Sequence, residues 1–176
     1  MEHFNIKVLP SKLIPETLRK EIVSLCNRAY KTDMQPILET FVDATHVLGY
    51  YNDLLVCHAL WVTRYLQAGT NPMMRTAYVE AVATEAKYRN RGFASAVMKH
   101  LIGEVQKYDL AALSPFSVEY YHRLGWELWH GPLFIRTKDN LVPCLDEEVM
   151  IFRLPKTPLL DLTTSLSAEW RNGELW

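Results

Sequence analysis

Six residues, RNRGFA (Arg89, Asn90, Arg91, Gly92, Phe93, Ala94), join a run that reads as a strand, YVEAVAT, to a run that reads as a helix, ASAVMKHLIGEV. A helix that begins straight after a tight turn leaves its first backbone N–H groups unpaired, and its aligned peptide dipoles make that end electropositive. Gly92 lets the backbone approach an anion without a Cβ in the way. Ala94 keeps the next turn small, and Arg89 and Arg91 add charge at the rim. The chemistry this arrangement offers is the cradling of a phosphate or pyrophosphate. Taken without their neighbours, the same six residues read more readily as a solvated basic loop before an ordinary amphipathic helix.

Other residues could do chemistry beside that loop. Glu80 is the one charged residue in YVEAVA, a strand otherwise apolar or small, so it is either a base facing a site or a carboxylate on a solvent face paired with an arginine. Tyr120 and Tyr121 are adjacent in a short helical run, where successive side chains diverge by about 100°, so only one can face a given point. Either ring has packing as its ordinary role. From Asp139 to Trp176 there are seven acids against three bases, a local excess suited to a cationic partner. Trp61, Trp126 and Trp129 read as core or pocket-wall aromatics. His58, which alternates with apolar neighbours, reads as a satisfied strand histidine.

The elements that must position these groups follow from pattern. FNIKV alternates as a strand, and Pro15 stands where a helical turn would begin before the stripe Leu18, Ile22, Leu25, Cys26, Ala29. TDMQPILETFVDAT reads as a short helix in a long connection. HVLGYY, LLVCHALWVTRYL and RTAYVEAVAT read as a meander, broken at Asn52-Asp53 and at QAGTNP. A helix over about 92–108 buries Phe93, Val97, Leu101 and Val105. LAALSPF is a further strand, Ser117 a cap for the helix SVEYYHRL, and Gly125 its stop. Strands near LFIRT and VMIFRL complete a mixed sheet. With no repeat or linker, the 176 residues read as one domain, and 49% apolar composition is enough for a core.

Composition narrows the function. A net charge of -1 gives no uniform attraction to nucleic acid or an anionic membrane. Cys26, Cys57 and Cys144 are odd in number and lack zinc-type spacing, so neither a disulfide framework nor a metal site is expected. No leader-like opening and no apolar run of about 18 residues is present, and the chain reads as soluble and cytoplasmic.

The motif Arg-x-x-Gly-x-Ala after a strand, followed by a helix, a strand and YYHRLGW, resembles the acetyl-coenzyme A binding core of the GCN5-related N-acetyltransferases. YVEAVAT, LAALS, YYHRLGWELWHGP, the acidic DEE before VMIFRLP, and the tail LDLTTSLSAEWRNGELW are similar to the bacterial aminoglycoside 2'-N-acetyltransferases. The segment DMQPILETFVDATHV departs from that family's pattern. The resemblance implies an α/β (α+β) fold with a mixed, mostly antiparallel sheet, splayed where acetyl-CoA lies. It implies that backbone groups of Val82, Ala83 and Thr84 meet the pantetheine and that Arg89 to Ala94 hold the pyrophosphate, with no metal. It implies Glu80 as the base for the acceptor amine, Tyr121 as the acid at the thiolate, and a backbone N–H, that of Val82, for the oxyanion. For the acceptor it implies Asp33, Glu80, Ser114, Glu147, Glu148, Glu174 and Trp176. The partner is then an aminoglycoside, with kasugamycin, another amino sugar or a polyamine as the alternative acceptor; a module that binds acetyl-CoA or an antibiotic without turnover is the other alternative, and a homodimer is left open.

Overall fold

A computed structural model describes residues 3–173, 175 and 176, and the chain divides into two compact units. The first comprises Met1–Val62 and Val79–Glu104, the second Thr63–Tyr78 and Val105–Trp176.

The first unit opens with β1 (Phe4–Pro10), followed by α1 (Glu16–Tyr30) and α2 (Gln35–Glu39). Pro15 caps α1 in an extended conformation, supplying the fixed φ of a helix start where no N–H is needed. Lys31, at φ 57, ends the helix in the left-handed region. The α1 stripe buries Ile22, Leu25 and Cys26 with Ile14, Met34, Leu48 and Ala83. Strands β2 (Thr45–Tyr51) and β3 (Leu54–Ala68) form an antiparallel hairpin over the two-residue turn Asn52-Asp53, both with positive φ, the geometry that matches strand twist. β1 pairs antiparallel with β2. β4 (Met74–Thr84) ends in this unit and leads through the Arg89–Ala94 loop into α3 (Phe93–Glu104), which stops about four residues short of the sequence expectation.

In the second unit the strand order is β6-β9-β5-β4-β3-β10-β7-β8. Here β5 is Leu110–Leu113, β6 Glu127–Leu128, β7 Leu133–Arg136, β8 Leu141–Cys144, β9 Met150–Arg153 and β10 Leu166–Glu169. β10 runs parallel to β7 and antiparallel to β3, so the sheet is mixed and mostly antiparallel. Helix α4 (Val118–His122) starts on Ser117, whose hydroxyl accepts the Tyr120 N–H, and stops at Gly125. There the Trp126 N–H reaches the Tyr121 carbonyl and the Gly125 N–H that of His122, a Schellman closure that needs the left-handed φ of 90. Strands β6, β8 and β10 had no counterpart in the sequence expectation. Trp126 and Trp129 are buried in this unit and Trp61 in the first, as expected. Among the described residues no helix is long and apolar enough to cross a membrane.

Candidate active site

Glu80 lies half-buried near the end of β4, and the residue after it departs from strand conformation although β4 runs on to Thr84. Ala81 has φ 50, the left-handed conformation that costs an alanine about 1–2 kcal/mol. Its side chain packs with Phe41, Ala44 and Leu60, beneath Ile37 and Leu38 of α2. Its carbonyl accepts from His58 Nδ1 at 2.8 Å, and the next carbonyl, that of Val82, accepts from the Tyr30 hydroxyl at 3.1 Å.

Behind His58 stands a second buried histidine. His46 Nδ1 lies 2.9 Å from His58 Nε2, and Ser11 Oγ 2.9 Å from His46 Nε2. His58 Nδ1 must donate, because its partner is a carbonyl; a neutral His58 therefore accepts at Nε2, His46 donates from Nδ1, and Ser11 donates to His46. Burial, with the neighbouring His58 and Arg19 adding to it, holds His46 down to about 3. Burial likewise holds His58 down to about 4, against the opposing bond to Ala81. Both rings are neutral near pH 7. Cys26 Sγ, 3.7 Å from His58 Nδ1, stays a thiol, pushed up to about 12 by burial and by Cys57.

The loop from Arg89 to Ala94 leads from the 3-10 helical turn Ala86–Tyr88 straight into α3. Asn90 at φ 60 and Gly92 at φ 80 turn the backbone, and the Ala96 N–H donates to the Gly92 carbonyl at the start of α3. A Cβ on Gly92 would meet nothing within 4 Å, so the space above it is open; conformation is what demands glycine there. The arginines are more constrained than free rim charges would be. Arg91 sits over the rings of Tyr51, Tyr88 and Phe93 and donates to the Tyr51 hydroxyl at 3.1 Å. Arg89 points back to the carbonyls of Thr84 and Ala29. Ala83 is buried, and the Thr84 hydroxyl meets Cys57 Sγ at 3.2 Å. Nearby in this unit, a cavity of about 370 Å³ opens between α1 and α2 with His46 on its wall, but neither Glu80 nor the loop lines it. Asp33, in the α1–α2 connection, is exposed and caps the Gln35 N–H at 3.1 Å.

In the second unit Tyr121 is buried while Tyr120 is only half-buried, so the two tyrosines diverge as helical geometry requires. Tyr121 lies edge-on to Phe116, Tyr120 and Trp126. Ser114, Glu147 and Glu148 are exposed. The tail is docked: Trp176 is buried, and Arg64, itself 1% exposed, donates to the carbonyls of Leu175 and Glu169 at 2.5 and 2.7 Å and stacks near the rings of Tyr78 and Trp176. Glu169 pairs with Arg64 and Arg136 and caps the Tyr65 N–H, so this member of the acidic run is engaged in holding the tail. Glu174 lies outside the described residues.

The family model for an acetyltransferase (GNAT) domain matches residues 12–129. The chain belongs to this family. An aminoglycoside 2'-N-acetyltransferase of Mycolicibacterium fortuitum is 30% identical over 139 residues, 74% of this chain and 70% of that one. A GNAT family N-acetyltransferase (YhbS) from Escherichia coli, solved in complex with CoA, superposes with a TM-score of 0.65 at 14% identity, over 94% of this chain and 88% of that one. A GCN5-related N-acetyltransferase from Kribbella flavida superposes at 0.62 with 19% identity over 74% of this chain; the chain spans about a third of its length. These structures share the GNAT fold.

Sequence reasoning missed the Ser11–His46–His58 chain. The two histidines are brought to one face by a bulge: Tyr50 pairs with Leu55, but Gly49 pairs with Cys57, a one-residue shift that sets His46 opposite Leu60 and His58 opposite Leu48. Without the shift, continuing the Tyr50–Leu55 register would set His46 opposite Ala59, and the rings would point to opposite faces. No local pattern announces that bulge.

Proposed function

We propose that this GNAT acetyltransferase moves the acetyl group of acetyl-CoA to the 2'-amine of an aminoglycoside or a closely related amino sugar, by direct attack of the amine on the thioester, in the cytoplasm and with antibiotic resistance as a consequence. The observation that carries the reading is the end of β4, where Glu80 precedes the left-handed Ala81 and the strand leads on toward the Arg89–Ala94 loop. The relative named for aminoglycoside 2'-acetylation supports the acceptor.

An amine of this class is largely an ammonium near pH 7 and must lose a proton before it attacks. Glu80, directly or through one water, takes that proton. The carbonyl oxygen that becomes negative as the C–N bond forms is met by the Val82 N–H. When the C–S bond breaks, the thiolate takes a proton from the Tyr121 hydroxyl, and the second proton shed by the nitrogen returns to the Tyr121 oxygen through solvent, leaving the amide, the free thiol and the one proton held by Glu80. Backbone groups of Val82, Ala83 and Thr84 line the pantetheine; the Val82 carbonyl has a second lone pair beyond the one Tyr30 uses. The N–H groups at the start of α3, with Asn90, Gly92 and the two arginines, hold the pyrophosphate. Asp33, Ser114, Glu147 and Glu148, with Glu174 and the Trp176 carboxylate, select the polycation. Thiol release on mixing with acetyl-CoA and a panel of aminoglycosides, kasugamycin included, tests the reading, with the acetylated nitrogen located by NMR of the product. Release with polyamines or peptides and none with any amino sugar would overturn it.

A further inference from the structure

We propose that His46 and His58 are positioning residues for the acetyl transfer: a directed relay from Ser11 through both rings fixes the Ala81 carbonyl, and through the rigid peptide it fixes the Val82 N–H. The inference rests on the reading that this N–H meets the reacting carbonyl.

A trans peptide holds its C=O and the following N–H antiparallel in one plane, so a carbonyl pinned on one side aims the N–H at the other. The Ala81 carbonyl is pinned by His58 Nδ1 at 2.8 Å. Its own residue cannot do this unaided, because alanine at φ 50 is strained and would relax toward an ordinary strand conformation. The direction of the donor depends on tautomer. A neutral imidazole donates from one nitrogen only, so His58 offers Nδ1–H to Ala81 only while something donates to its Nε2. His46 does so from 2.9 Å, and its own tautomer is selected in turn by the Ser11 hydroxyl, also at 2.9 Å. Ser11 and His46 are both buried, and His58 completely. Each link has a buried partner on both sides, and reversing one link leaves two donors or two acceptors face to face. Arg19, which donates to the Ser11 carbonyl at 3.1 Å, anchors the outer end. The chain thus converts a hydroxyl at the end of β1 into a fixed orientation of a peptide on β4.

Two measurements test this. The first uses the unreacted wild-type protein: long-range ¹H–¹⁵N correlation at pH 7 should show both His46 and His58 protonated at Nδ1, and Nε2 protonation of either ring overturns the relay whatever the substrate is. The second compares His58→Ala with His58→Asn, whose amide N–H can replace Nδ1–H toward Ala81 but whose shorter side chain does not reach His46. His58→Ala should lower kcat by roughly ten- to a hundred-fold, since an aimed oxyanion donor is worth that or more. His58→Asn should recover most of that loss, although both variants leave the His46 donor unpaired and should lose similar thermal stability. If kcat instead follows Tm across the two variants, or stays at the wild-type value in both, the histidines serve folding alone and the proposal fails. A wild type that turns over no amine would count against the proposed function, while the tautomer measurement would still decide the relay.

Discussion

Lowering the pH from 7 to 5 should destabilise this protein more steeply than its near-neutral net charge would suggest. His46 and His58 have folded values held down to about 3 and about 4, below their ordinary 6.5, with burial as the largest cause in both. The unfolded chain therefore binds protons that the folded chain refuses. Their stabilising contribution is complete above 6.5 and is lost as pH falls toward the folded values. At pH 5 each unfolded histidine is almost wholly charged and each folded one almost wholly neutral, so each costs about 2 kcal/mol relative to pH 7, about 4 kcal/mol for the pair. Against a domain stability of about 5–15 kcal/mol that is a large share. Asp161, which is exposed and lowered by Thr163, titrates below this window. Urea unfolding at fixed ionic strength, extrapolated to water at pH 7, 6 and 5, measures the effect. The slope near pH 5.5 should approach two protons, and His58→Asn should reduce it to about one. A stability that is flat or rising between pH 7 and pH 5 would refute the burial argument.

Three further outcomes follow from the local geometry. Gly92→Val places a branched residue at φ 80, where it is strained by about 1–2 kcal/mol, and fills the open space above the loop; CoA affinity by calorimetry should fall at least ten-fold, and unchanged affinity in a folded variant would remove the cradle. Tyr121→Phe should lower kcat by roughly ten- to a thousand-fold while Tyr120→Phe is nearly silent, and equal effects in steady-state assays would contradict the acid assignment. Gly131→Ala would set a Cβ 1.7 Å from the Thr164 carbonyl oxygen, where the backbone of the WHGP turn docks on Leu162, and should cost more than about 3 kcal/mol in urea unfolding. The matched control is Gly103→Ala, which meets nothing within 4 Å inside α3 and should add about 0.5–1 kcal/mol.

The parts that were legible in the sequence are those set by local rules. Pro15 as helix start, Ser117 as cap, Gly125 as stop and Asn52-Asp53 as turn each act within a few residues, and each stands where the pattern puts it. The family motif was legible for the same reason, since a strand, a turn with Gly92 and a helix are contiguous. The edge strand β8 was not, because Leu141–Cys144 contains Pro143, which cannot donate to a ladder. Strand β10 was hidden by length: four residues, Leu166–Glu169, with polar Ser167 inside, show little alternation until β3 and β7 flank them. The acidic excess was legible as a count but not as a role, since Glu169 is engaged by Arg64 and Arg136.

The histidine relay was illegible for a different reason, and the reason bears on how the site works. His46 and His58 share a face only because the β2–β3 hairpin slips by one residue at Gly49, and Gly49 is where a Cβ would come within 2.9 Å of the Phe4 ring. A glycine there admits both the bulge and the close approach of β1, which also carries the chain toward Ser11. One register shift therefore puts both histidines in line with the Ala81 carbonyl on β4. Since the pair titrates near pH 3 to 4, it remains neutral throughout the range in which an amine acetyltransferase works. Under the proposed mechanism the pair then contributes nothing to the limbs of the pH–rate profile, whereas acid inactivation belongs to unfolding. The two should separate experimentally: the acid limb of kcat/KM reports one reversible proton at a folded site, while loss of structure on further acidification takes up about two.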